Sequence, residues 1–200
     1  MLRDELKEAE IRDYVPSRWL KNKALCVKDK STSLDTIYCG TNGGLLVEIQ
    51  GVGMDAEKST VTICEQPCTL AGGSSLTLKC ITPKITTQSV KSCDVVVTVP
   101  TNVGVLQKTL SSAFVYDPKL TPTVVSVDPL IGGTGGGTNL TLIGIMFDES
   151  TKVSVGGTQC QIISINDTTI TCQTGVYNRS EKVPIDVITG KYGKASGVSP

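Results

Sequence analysis

Apolar and polar residues alternate with a period of two in several short runs of the chain. In one run, Leu140 and Leu142 alternate with Asn139 and Thr141. This period is typical of a half-buried β-strand, because successive side chains point to opposite faces of a sheet. The runs are short and end at glycine or proline, as strands joined by tight turns do. The pattern therefore predicts an all-β fold.

The clearest series of strands lies between Pro122 and Cys172. A first apolar strand ends at Asp128-Pro129, and a glycine-rich stretch follows at residues 132–137. This stretch superficially resembles a phosphate-binding loop. However, no lysine precedes its threonine and a strand rather than a helix follows it, so a turn explains it better. The last two strands flank a polar turn at Asn166-Asp167, which predicts a hairpin.

The order of motifs in this stretch resembles the IPT/TIG domain. In chain order the motifs are PTVVSVDP, GGTNLTLIGIMF, VSVGGTQC and ITC. That family, which occurs in plexins, in fibrocystin-like surface proteins and in Rel-type transcription factors, has an immunoglobulin-like (E-set) β-sandwich fold. The resemblance implies this fold, whereas function has to be argued separately because one fold hosts many roles.

The same arrangement occurs a second time, 93 residues earlier and without a gap at its start. The aligned pairs are Ser33 and Ser126, Asp35 and Asp128, Gly40 and Gly133, Thr41 and Thr134, Gly43 and Gly136, Gly44 and Gly137, and Gly51 and Gly144. After a one-residue slip, two cysteines of each copy also align, with the same spacing. Chance matches would not keep register over this distance, so we predict two tandem sandwiches.

The repeat divides the chain into three parts. We interpret residues 1–23 as a linker or the tail of a preceding domain, 24–118 as the first IPT/TIG-like domain and 119–200 as the second. The connector Asp117–Pro122 is short and carries proline, so we expect a restricted angle between the domains. The second copy has no counterpart of Ala113–Tyr116. We therefore expect it to lack its last strand, which leaves an edge unpaired.

Composition argues against several functions. Lys+Arg and Asp+Glu both number 19, so the net charge is zero and offers no electrostatic footprint for nucleic acid or an anionic membrane. No apolar run approaches the roughly 18 residues of a membrane span, and no signal peptide is recognisable, so we expect no membrane insertion by this segment. There is no histidine, the commonest general base, and no calcium-loop motif. We expect no enzymatic activity, no cofactor and no metal.

Eight cysteines, an even number, favour disulfides and an oxidising compartment. Cys160 and Cys172 lie on the two arms of the predicted hairpin, so we expect a bridge across its ladder, and the repeat predicts the same bridge in the first copy. Four other cysteines allow three connectivities, from which we choose one. The expected pairs are Cys160–Cys172, Cys68–Cys80, Cys64–Cys93 and Cys26–Cys39. An all-cysteine zinc site in the first half is the alternative.

Three N-x-(S/T) sequons occur, all in the second copy. They begin at Asn139, on the outward side of a strand, at Asn166, on a turn, and at Asn178, in a loop. All three positions suit N-linked glycans in a secreted protein, and the alternative is that these tripeptides arise by chance. A chain with disulfides and sequons but no signal peptide or membrane span is expected to be part of a longer secreted or membrane-anchored protein.

These observations favour a non-enzymatic extracellular module pair of a larger cell-surface or secreted glycoprotein. The pair would act as a spacer and as an adhesion or protein-binding surface, with other domains of the same chain or a surface protein as partner. Accessory domains of a secreted glycan-active enzyme are an alternative, but a single tryptophan and two phenylalanines make a poor sugar platform. A Rel-type DNA-binding or dimerisation module is a second alternative, but the zero net charge argues against it.

Overall fold

The structure, a computed structural model, describes residues 27–28 and 36–197. These residues form two sets of strands with one 3₁₀ turn, Pro118–Leu120, between them. The prediction of an all-β fold is confirmed. No helix in this part of the chain is long and apolar enough to span a membrane.

The first sandwich contains eight strands. They are β1 (Val27–Lys28), β2 (Ile37–Cys39), β3 (Leu46–Gln50), β4 (Thr60–Ile63), β5 (Gln66–Gly73), β6 (Thr77–Ile81), β7 (Lys91–Thr101) and β8 (Gly104–Tyr116). Their spatial order is β1-β2-β8-β7-β4-β5-β6-β3, and only β2 and β8 pair in parallel. Strand β5 connects the two layers, because its first residues pair with β4 and its later residues pair with β6.

The second sandwich repeats this layout. Its strands are β9 (Thr123–Asp128), β10 (Asn139–Ile145), β11 (Lys152–Val155), β12 (Thr158–Ile165), β13 (Thr169–Gln173), β14 (Ile185–Thr189) and β15 (Gly193–Lys194). The order β15-β14-β11-β12-β13-β10 matches β8-β7-β4-β5-β6-β3 strand for strand. The two copies of the sequence therefore fold with one topology, as the internal repeat predicts.

The last strand of the second sandwich is shorter than its counterpart. The sequence led us to expect it to be missing, but Gly193–Lys194 pairs with β14, and Ser196 forms a parallel bridge to Thr123. This bridge is parallel, as is the pairing of β2 with β8. The edge of β14 is covered in part, because a tight turn after β14 brings the chain back alongside it.

Each sandwich has its own core of aliphatic side chains around one buried aromatic region. In the first, the rings of Phe114 and Tyr116 lie 4.8 Å apart and both residues are fully buried. In the second, Phe147 lies against Gly144, where a Cβ would come within 2.5 Å of the ring. A glycine is needed at that position because the aromatic ring and the neighbouring strand occupy the space of a side chain.

Candidate functional site at the joint between the sandwiches

The two sandwiches meet at a joint formed by three segments. They are the glycine loop (residues 40–44) of the first sandwich, the linker (residues 117–121), and the last turn (residues 190–194) of the second sandwich. The glycine loop directly follows β2, and the last turn connects β14 to β15. The joint thus lies where the linker leaves the first sandwich and enters the second, and we call these the C-terminal end of the first and the N-terminal end of the second.

Backbone groups make the direct contacts between the glycine loop and the last turn. The Gly40 N–H donates to the carbonyl oxygen of Tyr192 at 3.1 Å, and the Lys194 N–H donates to the carbonyl oxygen of Gly43 at 2.7 Å. These bonds run in opposite directions, like two rungs between antiparallel strands. They depend on backbone atoms and therefore on the shape of the loop more than on its side chains.

A pair of threonines ties the glycine loop to the linker. The Thr41 N–H donates to Thr121 Oγ1 at 2.9 Å, and the two hydroxyl oxygens lie 3.0 Å apart. One of the hydroxyls can donate to the other, so Thr121 Oγ1 can both accept and donate at this contact. Because the two hydroxyls are partly buried, removing one of them would leave the other without its hydrogen-bond partner and would lower stability.

Two glycines allow the close approach of the segments. A Cβ on Gly40 would lie 2.7 Å from the Leu120 carbonyl oxygen and 2.8 Å from Thr121 Cα. A Cβ on Gly44, whose φ is +78°, would lie 3.0 Å from the Lys194 Cβ. Any side chain at position 40 would therefore push the sandwiches apart, and the repeated glycines are needed for the joint to close.

The linker is itself an ordered turn. The Asp117 N–H donates to the Cys39 carbonyl oxygen at 2.8 Å, and the Asp117 carboxylate accepts from the Lys119 N–H at 2.9 Å. Pro118 occupies the first position of the 3₁₀ turn, where its missing N–H costs nothing. The turn ends with the Thr121 N–H donating to Pro118 O at 3.1 Å. The connector is therefore a short fixed turn rather than a flexible tether.

The structure brings three of the expected cysteine pairs together as disulfides. The Cα atoms are 5.7 Å apart in Cys68–Cys80, 5.7 Å in Cys160–Cys172 and 4.8 Å in Cys64–Cys93. Cys39 is also disulfide-bonded. Its predicted partner, Cys26, lies outside the described residues, so that pairing stays a prediction.

The bridge in each hairpin differs in geometry from the one we expected. In the β12–β13 ladder, Cys172 lies opposite Ile162 rather than opposite Cys160, and Cys160 pairs with Val153 of β11. The reason is that β12 changes layers at this point: Cys160 still pairs with β11, whereas the next residue, Gln161, pairs with Gln173 of β13. The disulfide consequently links the two layers through the core. Both of its cysteines are fully buried, so it acts as a core residue as well as a crosslink.

The three sequon asparagines are exposed. The Asn139 side-chain oxygen accepts a long 3.4 Å hydrogen bond from Gln173, and Asn178 lies in the loop between β13 and β14. Asn166 has a structural role that the sequence analysis missed, because its side-chain oxygen accepts from the backbone N–H of Thr168 at 2.9 Å and of Thr169 at 2.7 Å.

Within residues 27–28 and 36–197, no group of three or more His, Cys, Asp or Glu side chains could hold a metal ion. The ion pairs found there are exposed, including Lys194 with Asp186 at 2.6 Å, and such pairs add little stability. The pKa of Tyr177 is raised by the exposed hydrogen bond that its hydroxyl donates to Glu181.

Sequence reasoning found the glycines of the joint but not their purpose. Gly40, Gly43 and Gly44 were visible because they align with the second copy, and the alignment suggested only turns. The signal that could have pointed to a contact is the number of glycines, which exceeds what one turn requires. Which segment fills the space they leave is a matter of tertiary structure.

Comparisons with known proteins agree on one family for this chain. The family model of the IPT/TIG domain matches residues 30–116 and 122–200. Fibrocystin-L of Mus musculus is 34% identical over 158 residues, covering 76% of this chain and 4% of fibrocystin-L. Fibrocystin-L of Homo sapiens is 30% identical over 154 residues, covering 72% of this chain and 4% of fibrocystin-L. The chain thus spans about 4% of the length of these curated relatives.

A solved structure shares the fold. The plexin A4 full extracellular region, domains 1 to 10, is 22% identical, with a TM-score of 0.50 over 76% of this chain and 14% of the plexin chain. At this identity the likeness concerns the fold alone. It agrees with two tandem immunoglobulin-like sandwiches.

Proposed function

The chain belongs to the IPT/TIG domain family, and on that premise we propose that it is a non-enzymatic, extracellular module pair of a larger cell-surface or secreted glycoprotein. In this proposal the pair works as a stiff spacer and presents sheet faces and loops to protein partners. The partners are other domains of the same chain or a second surface protein. Immunoglobulin-like sandwiches with short linkers suit this role because they transmit position and expose loops at their ends.

The observation that carries the proposal is the joint. Two backbone hydrogen bonds and the Thr41–Thr121 contact cross it, and the Gly40 backbone leaves no room for the segments to slide. Each hydrogen bond contributes about 1 kcal/mol net, so three of them favour the docked arrangement by about 3 kcal/mol. That amount corresponds to roughly a hundredfold excess of docked over open molecules. A pair joined this way behaves as one rod.

The compartment is supported by the disulfides and by the relatives. Three disulfides, two within the first sandwich and one within the second, crosslink the chain, and such bonds persist in oxidising compartments. The three sequon asparagines are exposed, as glycan attachment requires. The similarity to fibrocystin-L supports a segment of a much longer chain.

The stiff-spacer proposal is tested by backbone relaxation and residual dipolar couplings of the ¹⁵N-labelled full chain. We expect both sandwiches to show one rotational correlation time and one alignment tensor. The variant Gly40→Val should give two separate tensors, because its side chain collides with the Leu120 carbonyl. The matched control is Gly133→Val, at the aligned position of the second sandwich, where a Cβ meets nothing within 4 Å. Independent tumbling of the two sandwiches in the unmodified chain would refute the spacer role.

The compartment is tested on protein secreted from eukaryotic cells. A non-reducing peptide map should show Cys68 linked to Cys80 and Cys160 linked to Cys172, and enzymatic removal of N-glycans should lower the mass. A chain with all its cysteines as free thiols is incompatible with an extracellular module. If the mass does not change, the sequons carry no glycans, and that part of the proposal fails by itself.

A further inference from the structure

The second sandwich carries a copy of the glycine loop that forms the joint. Residues 40–44 read GTNGG and residues 133–137 read GTGGG, so the two loops differ only at Asn42 and Gly135. Each loop leads into an equivalent strand, β3 or β10; residues 40–44 directly follow β2, whereas four residues separate β9 from residues 133–137. The two loops are therefore equivalent in sequence and in their place before β3 and β10.

Each loop is held by its own sandwich through the same hydrogen bonds. The pairs of equivalent bonds are Gly44 N to Thr82 O (2.9 Å) and Gly137 N to Thr174 O (2.8 Å), Ile85 N to Thr41 O and Tyr177 N to Thr134 O (both 2.9 Å), and Leu45 N to Thr82 Oγ1 (3.0 Å) and Thr138 N to Thr174 Oγ1 (3.1 Å). Positive φ angles also recur, at +64° and +78° for Gly43 and Gly44 and at +78° and +79° for Gly136 and Gly137. The second loop thus has the conformation that the first one uses to receive a sandwich.

The two loops differ in what lies on them. Gly40 is buried under the linker, whereas Gly133 is exposed and a Cβ there meets nothing within 4 Å. The Gly133 N–H makes a long 3.3 Å bond to its own loop, at Thr138 Oγ1, where Gly40 bonds across the joint. Within the described part of the chain, the Thr134 N–H and the Gly136 carbonyl oxygen form no hydrogen bond. Their counterparts in the first loop both bond across the joint: the Thr41 N–H to Thr121 Oγ1 of the linker, and the Gly43 carbonyl oxygen to the Lys194 N–H of the next sandwich.

We propose that residues 133–137 are a docking seat for the N-terminal end of another IPT/TIG sandwich, in the pose that the second sandwich takes on the first. This inference rests on the proposed spacer function and extends it to a partner. The seat calls for three groups on its occupant: a threonine hydroxyl placed like that of Thr121, a carbonyl oxygen like that of Tyr192 and an N–H like that of Lys194. All the contacts are uncharged and made through backbone or hydroxyl groups, so the seat recognises the shape of a sandwich end.

The direction of the strands places the seat where a following sandwich would lie. Strand β2 runs in parallel with the end of β8 toward the glycine loop, and the chain then enters the linker. In the second sandwich the first and last strands also run in parallel where they meet, at the bridge between Thr123 and Ser196. Lys194 pairs with Ile188 in the position where Gln107 pairs with Thr98. Counting along the sequence from these two residues, position 200 corresponds to position 113.

This register defines a test in the full chain. A second copy of residues 114–200 is appended directly after Pro200, which supplies the end of the last strand, the linker and a sandwich known to fit such a seat. Amide hydrogen exchange of Thr134 is then compared between the 200-residue chain and the extended chain. Thr41, whose N–H already bonds across the joint, is the internal reference.

We expect Thr134 exchange to slow by roughly tenfold in the extended chain, because a hydrogen bond closed by docking protects the amide. In the extended chain, Gly133→Val should abolish this protection. Gly135→Val is the matched control: its Cβ also meets nothing within 4 Å, and the aligned Asn42 makes no hydrogen bond at the joint. This control should keep the protection.

A second variant tests the seat within the 200-residue chain. Asn42→Gly converts the first loop to the sequence of the second, and we expect Thr41 protection and the single alignment tensor to persist. Loss of either would show that the GTGGG sequence cannot hold a sandwich, and would overturn the inference. Unchanged Thr134 exchange in the extended chain would also overturn it, while a protected Thr41 would leave the spacer function intact. Rapid Thr41 exchange in the unmodified chain would instead contradict the spacer function itself.

Discussion

The hydroxyl of Tyr116 offers a sharp test of how the first sandwich is held together. Tyr116 is fully buried, and its hydroxyl donates to the Pro83 carbonyl oxygen at 2.7 Å. The bond joins the end of β8 to the segment that follows β6. Tyr116→Phe removes the donor and leaves a partly buried carbonyl without this partner, while the ring can still pack against Phe114.

The expected loss is about 2 kcal/mol, because an unpaired buried acceptor costs about 1–3 kcal/mol. At a urea dependence of about 2 kcal/mol per molar, the midpoint of the first sandwich should fall by about 1 M. The measurement is urea unfolding followed by ¹H–¹⁵N signals of each sandwich separately, because a two-domain chain need not unfold in one step. Tyr177→Phe is the control. Its hydroxyl bonds to Glu181 at the surface, so we expect a change within about 0.5 kcal/mol.

The Tyr116→Phe variant also tests how the stability of the first sandwich depends on pH, and the burial of Tyr116 fixes the direction of that dependence. Burial raises the pKa of Tyr116 above its ordinary value. In the unfolded chain the tyrosine ionises with a pKa of about 10. In the folded chain Tyr116 therefore stays protonated at pH values at which the unfolded chain has begun to ionise. Its contribution to stability is complete below pH 10 and falls as the pH rises further. At pH 11 the wild type should lose about 1.4 kcal/mol that the phenylalanine variant does not lose. A stability difference between the two chains that is constant from pH 7 to pH 11 would refute a buried, protonated hydroxyl.

Three further changes test other parts of the structure. The double substitution Cys160→Ala and Cys172→Ala should destabilise the second sandwich by about 3 kcal/mol, because it removes a chain crosslink and core contacts. The first sandwich should be unchanged in the same urea assay, and an equal loss of stability in both sandwiches would contradict separate cores. Gly144→Ala should cost about 3 kcal/mol or more because its methyl group overlaps the Thr123 carbonyl oxygen. A neutral result in thermal unfolding would show that β9 can move away from this position. Asn166→Ala should cost about 1 kcal/mol because two backbone N–H groups lose their acceptor, and in unglycosylated protein a stability equal to wild type would rule out that turn contact.

Much of the fold could be read from the sequence because its signals are local. The alternation of Leu140 and Leu142 with polar residues reports which face of a strand is buried, whatever lies opposite. Glycine and proline mark the ends of strands through their own backbone preferences. The repeat doubled this information, because the spacing of Cys68 and Cys80 recurs in the second copy and pointed to one topology used twice.

The layer change of β12 was not legible, although it decides how Cys160 and Cys172 meet. A shift in ladder register depends on how two sheets twist against each other, and a run of alternating residues does not record that twist. The hydroxyl contact of Tyr116 with Pro83 was equally hidden, because the two residues are far apart in sequence and no periodicity relates them. The short pairing of β15 was missed for a related reason, since two residues are too few to form a pattern.

The sequence by itself determined that two β-sandwiches of one design follow each other, because alternation and turn residues act over a few positions. Only the tertiary structure decided what the repeated glycine loops do. Gly40 and Gly133 occupy the same place in the same motif, yet one is covered by a neighbouring sandwich and the other is open. Contact between distant segments depends on where whole sandwiches end in space, and that position is set by the packing of all their strands together.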